Sequence, residues 1–187
     1  MAEKRVERSV EELVALARDG DQSAFSELVR IHQHEVFTLA VRLVGDRSMA
    51  ADVAQEAMVR AWRAIGRFRG EAAFSTWLHR ITVNAAWTQR TRAKRHLAHD
   101  LDAVTEQPDP DLRVSPEVAG ERAELRGVLR SALHRLPDQQ RAVVVLKDIY
   151  GWSHKDIADS LSISVTAAKV RLHRAHLKLR EMLREAS

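Results

Sequence analysis

Apolar residues in this chain recur at helical spacing in separate blocks, each closed by a recognisable stop signal. Ser9 followed by Glu12 forms a capping-box pattern, and Val10, Leu13, Val14 and Ala17 then share one face until Asp19-Gly20-Asp21. This predicts a short first helix. From Ala24, the positions Phe25, Leu28, Val29, Phe37, Leu39, Ala40 and Leu43 predict a longer helix that ends at Gly45-Asp46. A third helix, from about Met49 to Ile65, carries Val53, Ala57, Ala61 and Ile65 as one stripe, and Gly66 and Gly70 mark the turn after it. Phe74, Trp77, Leu78, Ile81 and Ala85 stand at i, i+3, i+4, i+7 and i+11, so a fourth helix starting near Phe74 should bury that face. Between about His96 and Gly120 the period vanishes, and Pro108, Pro110 and Pro116 fall among acidic residues, which predicts a linker. Periodicity resumes at Glu121 with Leu125, Val128, Leu129, Ala132, Leu133 and Leu136, and Pro137 stops it.

The sharpest local pattern runs from Ser153 to Arg174. Ser153 and Asp156 form a second capping-box pattern; Ile157, Ala158, Leu161 and Ile163 supply a small core for two crossing helices; and Ser164 is placed to cap the second of them. This is the form of a helix-turn-helix. On the second helix Val165, Ala168, Leu172 and Ala175 share a face, while Thr166, Val170, His173 and Arg174 lie opposite, flanked by Lys169 and Arg171. Such a face suits the major groove, where Arg pairs with guanine, a valine methyl meets thymine, and flanking cations take phosphates.

Charge changes the picture from a set of helices to two cationic modules. The formal net charge is only +4, but residues 1–59 carry about −4, residues 60–98 about +8, residues 99–124 about −6 and residues 125–187 about +6. Two basic blocks on helical patterns, separated by an acidic segment, fit a polyanionic partner. The basic block at 60–98 also holds Arg80, Asn84, Trp87 and Thr91 at i, i+4, i+7 and i+11, away from the expected core, followed by Arg90, Arg92, Lys94 and Arg95. That face mixes hydrogen-bonding, stacking and phosphate-binding groups. Trp87 stays open between stacking on a base and packing in the core.

An enzyme needs a convergent constellation, and none is legible. The chain has no cysteine, which excludes disulfides, thiolate zinc sites and cysteine nucleophiles. Among nine histidines, His173 and His176 are one turn apart, but no third ligand accompanies them. No phosphate-cradling glycine loop or nucleophile elbow is present. No metal or cofactor is therefore expected. No apolar run approaches the ~18 residues of a membrane span, and the N-terminus leads into no signal-peptide core, so the expected location is the cytoplasm.

Several of these segments resemble the sigma-70 family of RNA polymerase initiation factors. Leu136-Pro137 through Arg141, Gly151-Trp152-Ser153, Ile157-Ala158, Leu161 and Lys169-Val170-Arg171-Leu172-His173-Arg174-Ala175 look like the family's region four. The resemblance implies binding to the minus-thirty-five element and to the flap of the polymerase β subunit, with Ser164, Thr166, Lys169, Val170, Arg171, His173 and Arg174 facing DNA. Asp52-Val53-Ala54-Gln55-Glu56-Ala57-Met58 followed by Ala61-Trp62 is similar to the region-two helix that docks on the β′ clamp helices. It implies polymerase contacts from Asp52, Gln55, Glu56, Met58, Val59 and Trp62, since an acidic and amide face with apolar anchors suits an arginine-rich partner helix. Phe74-Ser75-Thr76-Trp77-Leu78-His79-Arg80-Ile81-Thr82-Val83-Asn84 resembles the minus-ten reading helix. Its family role implies DNA contacts from Arg80, Asn84, Trp87, Arg90, Thr91, Arg92 and Arg95, together with Arg69 in the loop 68–73, where extruded bases are captured.

A chain with these two regions and no middle domain resembles the extracytoplasmic-function group. The expected fold is all-α: a sigma region 2 bundle over residues 1–97, a flexible acidic linker over 98–120, and a sigma region 4 helix-turn-helix over 121–187. The expected function is promoter-specific initiation with core RNA polymerase, under the control of an anti-sigma protein. The alternative is an autonomous helix-turn-helix regulator, which accounts for the C-terminal block but leaves the basic Trp-bearing helix unexplained.

Overall fold

The computed structural model describes residues 8–99 and 121–185, with side chains over 8–93 and 125–185. Every regular element among them is helical: α1 (Val10–Arg18), α2 (Gln22–Val44), α3 (Arg47–Ala64), a 3₁₀ turn (Ile65–Arg67), α4 (Phe74–His99), α5 (Glu121–Arg135), α6 (Asp138–Val144), a π-helical turn (Val145–Ile149), α7 (His154–Leu161) and α8 (Val165–Glu185). The expected all-α class is what the chain adopts. The acidic linker beyond His99 lies outside the described residues, and α4 itself runs past the boundary expected at 97.

Local chemistry sets the helix ends. The Ser9 N–H donates to Glu12 Oε2 at 2.9 Å and the Glu12 N–H donates to Ser9 Oγ at 3.2 Å, so the capping box closes reciprocally. Asp21 accepts from the N–H groups of Ser23 and Ala24 and starts α2. Gly45 then ends α2 in the left-handed conformation with φ +84°, and Asp46 caps α3 through Met49 N–H. In this way one dipeptide stops a helix and starts the next.

The first module packs α1 to α4 around Leu13, Leu28, Val36, Leu39, Val53, Leu78 and Val83, all essentially buried. On α3, Ala50, Ala57 and Ala61 are fully buried, so small side chains let this helix approach α2 and α4 closely. In the second module Val143, Val145 and Leu146 of α6 and the π turn are buried with Trp152, Ile157, Leu161 and Ala168. No sequence period announced α6, because its apolar run is covered on all sides and shows no polar face. The Ser153–Asp156 pattern closes only half as expected. Asp156 N–H donates to Ser153 Oγ at 3.1 Å, but the Asp156 carboxylate accepts from the Ser153 hydroxyl rather than from its backbone N–H.

The two modules are not held apart. Helix α4 packs on α7 and α2 on α6, and one continuous hydrophobic core contains residues of both.

Candidate nucleic-acid and polymerase interface

Helix α8 presents the face expected to read DNA. Ser164 Oγ accepts from Ala167 N–H at 3.0 Å and caps the helix. The preceding turn places Ser162 at φ 53° and closes with Ile163 N–H donating to the Ala158 carbonyl, so the two helices are fixed in their crossing. Ala168 and Ala175 anchor α8 in the core, and Thr166, Lys169, Val170, His173 and Arg174 are exposed on the other side, with Arg171 half-buried. Val165, expected on the buried face, is 40% exposed, because the first turn of α8 projects beyond α7. His176 Nε2 lies 2.7 Å from Asp148 Oδ2, and no cluster of three metal-ligating side chains occurs among the described residues.

Helix α3 offers a second surface. Asp52 and Gln55 are exposed, and Val59 is 37% exposed beside them. Glu56 belongs to the same face but is held by Arg60 at 2.7 Å, an i,i+4 pair that lowers its pKa, chiefly through the hydrogen bond from Arg60. Met58 and Trp62 are half-buried against the core, and the Trp62 ring lies 5.0 Å from that of Phe25. They brace the face more than they project from it.

Helix α4 divides the residues that its pattern had grouped. Asn84, Thr91 and Arg92 are exposed, while Trp87 is half-buried and packs against the core. Thr91 Oγ1 donates to the Trp87 carbonyl at 2.8 Å. Below α4, Phe68, Phe74 and Trp77 form an aromatic cluster with ring centroids 5.1 to 6.0 Å apart, which fixes the root of the loop carrying Arg69. Arg69 is 84% exposed, with Glu71 3.8 Å away. The side chain of Arg95 lies outside the described residues.

Arg80 and Arg90 do not stand free. Arg80 Nη2 donates to Asp156 Oδ1 of α7 at 2.6 Å. Arg90 pairs with Asp138 at the start of α6, and its Nη1 donates to the carbonyls of Leu43 and Val44 at 3.0 and 3.1 Å. Arg141 of α6 meets the same end of α2: Nε donates to Leu43 O, Nη2 to Val44 O and Nη1 to His134 O, each at 3.2 Å. Two guanidinium groups thus satisfy the last carbonyls of α2, where the helix dipole is negative. Arg141 is only 4% exposed, and burial, with Arg90 close by and Asp138 opposing, pulls its pKa down to about 10. It remains charged at neutral pH.

A second set of contacts joins the modules beside Arg80. Arg42 Nη1 donates to the Tyr150 hydroxyl at 3.2 Å, and the Tyr150 ring meets the His79 ring edge-on at 5.1 Å. His79 Nε2 lies 2.9 Å from Glu35 Oε1, yet burial outweighs that carboxylate and lowers the His79 pKa. Sequence reasoning missed this junction. Asp138 and Asp156 read there as a helix start and a cap, and nothing local to either residue signals a partner more than forty positions away.

Residues 28–96 match the family model described as Sigma-70 region 2, and residues 126–179 match that described as Sigma-70, region 4. The chain is 37% identical over 186 residues to the RNA polymerase sigma-H factor of Pseudomonas aeruginosa, covering 94% of this chain and 96% of that protein. It is 41% identical over 180 residues to the ECF RNA polymerase sigma factor SigM of Mycobacterium tuberculosis, covering 96% and 87%. Among solved structures it resembles CnrH in complex with the cytosolic domain of CnrY, with a TM-score of 0.58, 29% identity, and coverage of 94% and 97%.

Proposed function

We propose a division of labour for a chain that belongs to the extracytoplasmic-function sigma factors of the sigma-70 family, which are transcription initiation factors rather than enzymes. In this reading α3 docks on the β′ clamp helices of core RNA polymerase through Asp52, Gln55, Glu56 and Val59, braced by Met58 and Trp62. Helix α4 and the loop before it take the minus-ten element through Arg69, Arg80, Asn84, Trp87, Arg90, Thr91, Arg92 and Arg95. Helix α8 enters the major groove at the minus-thirty-five element through Ser164, Thr166, Lys169, Val170, Arg171, His173 and Arg174, and the second module meets the β flap.

The observation that carries the reading is the exposed polar face of α8, rooted by Ala168 and Ala175, on the same chain as the exposed Asp52–Gln55 face of α3. One face suits DNA and the other suits a cationic protein helix. No described helix is long and apolar enough to cross a membrane, and we place the site of action in the cytoplasm, where polymerase and DNA meet. CnrH, a structure of similar architecture, is held by the cytosolic domain of another protein, which supports control of this chain by an anti-sigma factor. The autonomous-regulator alternative leaves the region 2 match over residues 28–96 without a role. Transcription in vitro with purified core polymerase tests the proposal: specific transcripts should appear only when chain and core are combined. Tight operator binding without polymerase and no transcripts with it would overturn it.

A further inference from the structure

We propose that the second module is an intramolecular ligand of the first, covering part of the minus-ten face of α4 with carboxylates that stand where DNA phosphates would lie. The proposal rests on the assignment of α4 to promoter DNA made above. Two of the α4 residues assigned to DNA are occupied from within the chain: Arg80 by Asp156 at 2.6 Å and Arg90 by Asp138. A carboxylate on a guanidinium satisfies the same donors and the same charge as a phosphate oxygen, so the two ligands compete for one site.

The latch that holds this arrangement is specific to the junction. Arg141 is buried between modules, with its donors on Leu43 O and Val44 O of α2. Gly45, immediately beyond, brings the backbone so close that an ideal Cβ there would sit 2.9 Å from His134 Nδ1 and 3.3 Å from Arg141 Nη1. Tyr150 adds its contacts to Arg42 and His79. By contrast, the α3 face is not covered: Asp52 and Gln55 remain exposed while the modules are closed. Core polymerase can therefore engage α3 first, and separation of the modules onto their two promoter elements would release Arg80 and Arg90 to DNA. The free chain is self-inhibited, and polymerase binding opens it.

The absence of cysteine makes a direct test practical. Cysteines introduced as Gln33→Cys on α2 and Lys178→Cys on α8, both exposed positions, carry a donor and an acceptor dye on the full chain. Energy transfer is measured for the otherwise native sequence, for Asp138→Asn/Asp156→Asn, and for the control Asp159→Asn, which removes a charge from an exposed position on α7 without touching α4. Binding to the non-template single strand, taken from a promoter that the chain opens with core polymerase, is measured in parallel. The double variant should lose transfer and gain about three- to tenfold in single-strand affinity, the factor expected when a minor competent population becomes the major one. Addition of core polymerase to the native sequence should lower transfer in the same direction. Asp156→Asn alone keeps the Asp156 N–H to Ser153 Oγ cap and should shift both readouts part of the way, which guards against a folding defect at Asp138. Unchanged transfer in both variants, an equal affinity gain from Asp159→Asn, or closed-state transfer in the transcribing complex would overturn the inference. Transcription by the native chain is scored separately, so failure of the functional assignment is distinguishable from failure of the latch.

Discussion

Replacing Gly45 by alanine separates two penalties that are usually measured together. Gly45 has φ +84°, so any side chain there incurs left-handed strain of roughly 1–2 kcal/mol, less a few tenths for the stiffer unfolded chain. Gly20 shares the conformation, with φ +97°, but an added Cβ there meets nothing within 4 Å. Gly20→Ala is thus the control for strain alone. At Gly45 the Cβ would also approach His134 Nδ1 to 2.9 Å, His134 Cε1 to 3.4 Å and Arg141 Nη1 to 3.3 Å, all across the junction between modules. Forcing such a contact costs about 1–3 kcal/mol where the neighbour is held in place, and Arg141 is held by three carbonyls. Urea unfolding of the full chain should therefore show Gly45→Ala less stable than Gly20→Ala by about 1–2 kcal/mol. In a His134→Ala background, the excess at Gly45 should shrink, since the closest contact is gone, whereas the cost at Gly20 should not change. Equal losses at the two glycines, or an excess at Gly45 that survives His134→Ala undiminished, would refute close packing of the modules at this point.

Three further outcomes follow from the same geometry. Changing Asp52, Gln55 and Glu56 together to alanine should weaken association with core polymerase by tenfold or more, ~1.4 kcal/mol or greater, with unfolding unchanged within about 0.5 kcal/mol, as read by labelled-core titration and urea denaturation. Arg174→Ala should weaken binding of the polymerase complex to its promoter by about 1–3 kcal/mol if it reads a base, and Lys169→Ala should lower the salt slope by about one if it meets a phosphate; footprinting across a salt series separates the two. The pKa values of His79 and His134 are both lowered, mainly by burial, so the unfolded chain binds more protons below pH ~6.5. The stability they contribute is fully present above the unfolded value and is lost as pH falls through the folded values. The melting temperature should accordingly drop between pH 7.5 and 5.5, and His79→Gln should flatten that dependence; a flat native profile would count against buried neutral imidazoles.

Much of this protein was legible residue by residue. Ser9–Glu12, Asp21 and Gly45–Asp46 each carry their instruction within four positions, because caps and left-handed stops are satisfied by neighbouring backbone groups. The stripe on α4 and the face of α8 follow from the helical period, and a motif of that kind keeps its meaning wherever the module sits. Tertiary structure alone decided the rest. The period assigns Arg80 and Arg90 to one solvated face of α4, but their carboxylate partners arrive from α7 and α6, and Arg141 finds its carbonyls on α2. Such contacts bring together groups 48 to 98 positions apart in the chain, and no local propensity encodes which of two exposed-looking charges will be brought together. Periodicity therefore fixed what each helix can bind, while the packing of one module on the other determined what each helix is holding.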